Sequence, residues 1–268
     1  MNTAQLFDVK DKVVLVTGGS RGIGAMIARG FVENGARVYI TSRDAKVCAQ
    51  VVDELNKVGP GSCHAIPADL QKLSEVERLV EELQQKEKVL HVLVNNAGAN
   101  WGSPLEEFPD SAWHKVLTLN LTRVFSLTQK LVPMLEAANE PGKTSFENAG
   151  GRVIMIGSVD GIRVPALDTY SYSASKAALH QLSRVLASQL APRGVTVNTL
   201  ACGPFESKMM AATLDAFRET IEQSVPIGRI GTPQDVAGAC IFLASRAGAY
   251  INGATIPVDG GILVAAKM

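Results

Sequence analysis

The apolar positions of this chain fall into short unbroken runs separated by longer stretches with helical spacing. Lys12 to Thr17 is β-rich and apolar, Gly18 to Gly24 is dense in glycine, and Ile23 to Asn34 repeats its apolar residues at the spacing of one helix face. The strand, turn and helix unit recurs. Further strands are expected at Arg37 to Thr41, Cys63 to Pro67, Val89 to Asn95, Arg152 to Gly157, Val195 to Leu200 and Ala254 to Val258. Continuous Val/Ile/Leu runs such as Val89 to Val94 suit strands covered on both faces, and the intervening helices imply parallel pairing through crossovers. An α/β fold with one doubly wound parallel sheet of about seven strands follows, with helices on both faces and no second core across 1–268.

Two segments break the pattern. Residues 138–150 are polar and rich in Gly, Pro and Asn, and read as an insertion that loops out before the fifth strand. Residues 203–229 hold the amphipathic piece Thr213 to Gln223 between loops and read as a substrate lid. After them, Thr232-Pro233-Gln234-Asp235 places a capping side chain, a first-turn proline and an acid where a helix begins.

Composition narrows the class. With 46% hydrophobic and 19% charged residues the chain is of the globular type, and 26 basic against 26 acidic residues leaves no net field for nucleic acid or an anionic membrane. No metal is expected, because Cys48, Cys63, Cys202 and Cys240 are scattered and share no ligand spacing with the histidines. Those thiols, the absence of a signal pattern and the absence of a long apolar run point to the cytoplasm. The final Ala-Lys-Met resembles the Ser-Lys-Leu peroxisomal address, so a peroxisomal destination is the alternative.

Two stretches carry candidate chemistry. Thr17-Gly18-Gly19-Ser20-Arg21-Gly22-Ile23-Gly24 follows a strand and opens a helix, where free backbone N–H groups and the helix dipole receive a pyrophosphate. Its Gly-x-x-x-Gly-x-Gly spacing differs from the general Gly-x-Gly-x-x-Gly fingerprint, so the motif alone decides little. Tyr172-Ser173-Ala174-Ser175-Lys176 puts a phenol and an ammonium on one helix face. A positive charge beside a phenol is expected to lower its pKa towards neutrality.

The chain resembles the short-chain dehydrogenase/reductase family. Its Thr-Gly-x-x-x-Gly-x-Gly pattern is met at Thr17, Gly18, Gly22 and Gly24, and Asn95-Asn96-Ala97-Gly98, Asp69 and Val258-Asp259-Gly260-Gly261 follow in order. The resemblance covers nearly the whole chain. It implies a Rossmann-type domain that binds a nicotinamide dinucleotide through Thr17, Gly18, Ser20, Arg21, Gly22, Ile23, Gly24, Ser42, Arg43, Asp69, Leu70, Asn96, Ala97, Gly98, Tyr172, Lys176, Gly203, Phe205 and Ser207. At the end of the second strand Ser42-Arg43 stands where an acid would grip the ribose of NAD. A guanidinium there, flanked by Arg21, favours the 2′-phosphate of NADPH over NAD, with Asp44 a cap for the next helix.

By the same resemblance Tyr172 is the general acid, Ser158 hydrogen-bonds the substrate carbonyl, and Lys176 supports both phenol and ribose. Asn120 matches the fourth catalytic position, where it holds a water connecting Lys176 with solvent. The expected reaction is hydride transfer to a ketone. One departure stands out: Cys202-Gly203-Pro204-Phe205-Glu206-Ser207 replaces the usual Pro-Gly, with Ser207 in the place of a threonine that contacts the cofactor.

Ala99-Asn100-Trp101-Gly102 and Gly157 to Arg163 are similar to the rhamnolipid-pathway branch of 3-oxoacyl reductases. That likeness implies a 3-oxoacyl thioester, on CoA or acyl-carrier protein, with Trp101, Val164, Phe205 and Met209 lining an acyl pocket and Arg163 meeting a polar carrier. A reductase or dehydrogenase of a sugar, steroid or polyketide-type ketone is the neighbouring alternative. A non-catalytic NADP(H)-binding regulator is the alternative of another class. Family resemblance also implies a homo-oligomer, a homotetramer packed through the long helices and the C-terminal strand.

Overall fold

A computed structural model describes residues 2–139, 150–208 and 210–265. The expected insertion therefore lies outside the described residues except at its ends, as do Met209 and the C-terminal Ala-Lys-Met. After a single-turn helix α1 (Thr3–Leu6) the chain alternates β1 (Val13–Thr17), α2 (Gly22–Glu33), β2 (Arg37–Thr41), α3 (Ala45–Leu55), β3 (Ser62–Ala65), α4 (Leu73–Lys86) and β4 (Val92–Asn95). It continues through α5 (Asp110–Leu117), α6 (Arg123–Glu136), β5 (Gly151–Ile156), α7 (Tyr170–Leu190), β6 (Val195–Cys202), α8 (Ala211–Ser224), α9 (Pro233–Ala244) and β7 (Thr255–Val258).

All seven strands join one sheet in the order β3-β2-β1-β4-β5-β6-β7, and every pair is parallel. β1 is buried along its whole length because its alternate residues enter two cores. Leu15 joins Leu79, Leu93, Leu127, Leu131 and Leu179 on the face covered by α4, α6 and α7. Val14 and Val16 join Ile27, Phe31, Val94, Cys240 and Leu243 under α2 and α9. The order reverses between β1 and β4, so their C-terminal ends open the crevice in which doubly wound folds bind ligands.

Strand ends depart from expectation by a few residues, most at β4. There Leu90 donates its N–H to Met134 O in α6 and His91 donates to Val13 O, so regular pairing begins only at Val92. The helix start at Thr232 is as expected: the Asp235 carboxylate accepts from Thr232 N at 2.7 Å, a reciprocal cap. Helix runs without a break from α5 into α6 around Asn120, through a π-helical turn at Thr118–Thr122 closed by Arg123 N–H on Thr118 O. No helix among the described residues is long and apolar enough to cross a membrane.

Candidate active site

The glycine loop is built by backbone contacts that exclude side chains. Gly18 has φ +65° and Gly22 φ +50°, the left-handed region. A Cβ on Gly24 would stand 2.3 Å from Gly18 O and 2.4 Å from Asn96 Nδ2, so the helix start and the loop can approach only without one. A Cβ on Gly22 would stand 2.9 Å from Ser207 Cβ, which places the segment after β6 directly against the loop. No side chain caps α2, leaving its first N–H donors to an anion. That cradle fits a dinucleotide pyrophosphate.

Thr17 and Asn96 fasten the loop to β4. Thr17 Oγ1 accepts from Asn96 N and Ala97 N, each at 2.9 Å, and donates to Val94 O at 3.3 Å. Asn96 Nδ2 donates to Thr17 O at 2.8 Å and Gly18 O at 3.3 Å. These side chains are already committed to the scaffold, so Thr17 and Asn96 shape the crevice from within.

At the end of β2, Ser20 Oγ donates to Ser42 Oγ at 2.8 Å, and Ser42 Oγ stands 3.0 Å from Cys48 Sγ. Asp44 accepts from Val47 N at 3.1 Å as the cap of α3 and pairs with Arg21 at 3.5 Å. Its charge is therefore partly answered within the chain. Arg43 is exposed beside this cluster. Asp69 Oδ1 accepts from Gln71 N at 3.2 Å, fixing the turn after β3.

The surroundings of three expected residues are specific. The Leu70 side chain is in the core with Val76 and Leu79, so only its backbone can face a ligand. Phe205, proposed for both cofactor and acyl pocket, is 2% exposed, belongs to the α2/α9 core and packs on Gly231, whose Cβ would meet its ring at 2.3 Å. The ring anchors the 225–231 loop through Gly231 and contributes to the wall of a cavity shared with Ile227 and Arg229. Arg163 is paired with Asp160 at 3.4 Å. Trp101 is exposed, with Lys115 Nζ 5.2 Å from its ring centre, and Val164 and Ile162 are exposed nearby in sequence to Ser158.

The reacting groups converge at the end of β5. Lys176 Nζ donates to Ile156 O at 2.7 Å and lies 5.6 Å from the Tyr172 ring centre. Ser158 Oγ accepts from Asp160 N at 3.1 Å and interacts with the Tyr172 phenol. Asn120 Oδ1 accepts from Ala99 N at 2.8 Å, while its Nδ2 donates to Ala99 O at 2.9 Å and Ser175 Oγ at 3.0 Å. Ser175 in turn donates to Tyr172 O at 2.7 Å. Both Nδ2 protons of Asn120 are thus committed to Ala99 and Ser175, and Oδ1 keeps one lone pair beyond its bond to Ala99 N.

The expected acidification of the phenol is not supplied by the chain alone. Burial pushes Tyr172 up to about 12, opposed by Ser158, and burial brings Lys176 down to about 8. Desolvation sets the direction for both groups, and the contact that lowers the phenol is that with Ser158. Cys202, close enough to Lys176 to interact, is pushed up to about 12 by burial and is inert as a nucleophile. Sequence reasoning passed over Ser175, Asp160 and His180. Their signal is position: Ser175 is three residues after Tyr172 and His180 four after Lys176, the helix spacings that return to one face.

A crevice at the switch point with a glycine cradle and a Ser, Tyr and Lys cluster defines a dinucleotide-dependent oxidoreductase site. The family model described as Enoyl-(Acyl carrier protein) reductase matches residues 18–263, and the chain belongs to this group of the short-chain dehydrogenase/reductase family. It is 47% identical over 257 residues to the rhamnolipids biosynthesis 3-oxoacyl-[acyl-carrier-protein] reductase of Pseudomonas aeruginosa, covering 95% of this chain and 97% of that protein. It is 33% identical over 263 residues to the 5-keto-D-gluconate 5-reductase of Escherichia coli, covering 97% and 98%. Among solved structures, the Pseudomonas aeruginosa RhlG/NADP active-site complex superimposes with a TM-score of 0.90 at 44% identity, over 98% of this chain and all of that one.

Proposed function

We propose that this chain is an NADPH-dependent carbonyl reductase that reduces the ketone of a 3-oxoacyl thioester, carried on CoA or acyl-carrier protein. The observation that carries this reading is the meeting of Tyr172, Ser158 and Lys176 at one strand end, beside an α2 N-terminus left open to phosphate. The 47% relative that reduces 3-oxoacyl groups and the NADP-bound neighbour support the substrate and cofactor.

When bound, NADPH supplies the hydride. Gly18, Gly22 and Gly24 would admit its pyrophosphate to the loop, Ser20, Ile23, Ala97, Gly98, Gly203 and Ser207 would hold the rest of the dinucleotide, and Ser42 and Arg43, flanked by Arg21, would meet the 2′-phosphate. Ser158 Oγ donates to the substrate carbonyl oxygen and stabilises the negative charge that develops there. Tyr172 delivers the proton to that oxygen. A phenol held near 12 is neutral at physiological pH and still more acidic than an alcohol, so it is loaded for donation and the transfer runs downhill. Lys176, anchored to Ile156 O, presents its ammonium to the phenol and to the nicotinamide ribose. Asn120 holds Ala99 and Ser175, and through Ser175 the backbone of Tyr172.

The 203–229 segment, with α8 kinked at Phe217, serves as the substrate lid of the one domain. The reading carries a homotetramer in the cytoplasm, supported by apolar side chains left exposed on the long helices, Phe125 and Val185, and by four free thiols.

The family description names enoyl reduction, which makes a carbon–carbon double bond the second reading. NADPH consumption with acetoacetyl-CoA, an enoyl-CoA, an unacylated diketone and no substrate separates the possibilities. Turnover highest with acetoacetyl-CoA is expected. Turnover only with the enoyl thioester, equal turnover of the diketone, or binding of NADPH with no turnover of any ketone would each overturn the reading.

A further inference from the structure

One buried imidazole faces the serine segment directly. His180 lies on α7 four residues after Lys176 and eight after Tyr172, so the three side chains share one helix face. Its ring is buried, and Ser158 N donates to its Nε2 at 3.4 Å. A Cβ on Gly157 would stand 2.3 Å from Nε2, and one on Gly161 would stand 2.9 Å from Cε1. Glycine at both places lets the end of β5 and the turn after it wrap the ring without a clash. The same turn sets the serine side chain, because Asp160 N donates to Ser158 Oγ at 3.1 Å.

We propose that His180 is a positioning residue: its Nε2 holds the Ser158 backbone N–H and so sets the serine hydroxyl against the Tyr172 phenol. The proposal rests on the ketone-reduction reading of the site. It assigns the imidazole a task that packing alone does not require, namely an unprotonated acceptor at one ring atom. The surroundings keep that acceptor available. Burial, with the charges of Lys176 and Arg184, brings the imidazole down to about 4, so Nε2 keeps its lone pair at neutral pH and the proton resides on Nδ1. Three residues of the serine segment, Gly157, Ser158 and Gly161, thus meet one atom group on the helix that carries both Tyr172 and Lys176. A shift of the serine hydroxyl on the order of 1 Å costs about a hundredfold in rate where the reacting geometry is tight.

The test compares His180→Gln, His180→Asn and His180→Leu in the full chain, with acetoacetyl-CoA and NADPH. Glutamine carries its amide oxygen to the place of Nε2, whereas asparagine reaches only to the place of Nδ1. His180→Gln is expected to keep kcat within about threefold of the parent, and His180→Asn and His180→Leu to lose about tenfold or more. The NADPH Kd is expected to stay within about twofold in all three, because the glycine loop is untouched. Equal kcat in the Gln and Asn variants, whether normal or impaired, would overturn the proposal. So would a loss that follows Tm and NADPH Kd and leaves kcat intact. If His180→Leu does not fold, the Gln and Asn pair decides alone. Tyr172→Phe is the control: normal turnover there defeats the reading of the site itself, whereas an inactive Tyr172→Phe with indistinguishable Gln and Asn variants defeats only the role of His180.

Discussion

The Lys176 ammonium is tied to the carbonyl oxygen of Ile156 at 2.7 Å, two residues before Ser158, so the helix that bears the phenol is pinned to the strand that bears the serine. The bond is buried and charge-assisted, which makes it stronger than a neutral one. Lys176→Met removes both the pin and the charge beside Tyr172. A fall in kcat of about a hundredfold or more is expected from steady-state rates, with the fold retained by circular dichroism. Unchanged kcat would remove Lys176 from the proton-transfer machinery.

Asn120→Ala withdraws three hydrogen bonds, two to Ala99 and one to Ser175. The half-buried Ala99 backbone groups are left without those partners, at a cost below the roughly 1–3 kcal/mol of a fully buried group. A lower Tm and a lower kcat should appear together, because the π turn and the Ser175 bond to Tyr172 O loosen at once. Thermal unfolding and initial rates check this pairing.

Gly24→Ala tests the cradle. The added methyl would lie 2.3 Å from Gly18 O, a backbone atom that cannot swing away. Overpacking of this kind costs about 1–3 kcal/mol, and the loop that must shift is the one that faces the pyrophosphate. Loss of NADPH binding by fluorescence titration, with a smaller loss of Tm, is the expected outcome.

The proposed contact of Arg43 with the 2′-phosphate can be tested by substitution. Removing a charged hydrogen-bonding partner of a phosphate costs about 1.5–3 kcal/mol, so Arg43→Ala should raise KM for NADPH by about tenfold or more and leave KM for NADH nearly unchanged. An equal rise for both cofactors would place the phosphate contact elsewhere.

Two imidazoles make stability depend on acid. Burial brings His91 and His180 down to about 4, and His91 Nδ1 accepts from Val13 N at 2.9 Å. An unfolded histidine titrates near about 6.5, so below that pH the unfolded chain binds protons that the folded chain refuses. The stabilisation is full above about 6.5 and is lost as pH falls towards about 4. Tm should therefore drop across this window, and His91→Asn, which keeps an acceptor near Nδ1 and does not titrate, should flatten the drop.

Much of this was legible in the chain because it rests on local rules. The unbroken apolar runs mark strands buried on both faces, as β1 is, and glycine at 18, 22 and 24 is required by backbone approach and positive φ at the first two. The Tyr172 and Lys176 pair follows from helix period alone. What stayed hidden depends on tertiary neighbours. Nothing local announces the π turn at Thr118–Thr122, since it is held by Ala99 and Ser175 from distant segments. That Phe205 is buried against Gly231 depends on a loop about twenty-five residues away in sequence, beyond the reach of local patterns. The sign of the Tyr172 shift also escaped, because helix spacing reveals a neighbouring ammonium but not the desolvation of the phenol.

The central claim is that the Tyr172 phenol protonates the carbonyl oxygen, and NADPH oxidation by Tyr172→Phe with acetoacetyl-CoA, measured beside the NADPH Kd, tests it most directly. The account predicts turnover reduced by at least about a hundredfold with the Kd nearly unchanged. Turnover close to that of the parent chain would contradict it.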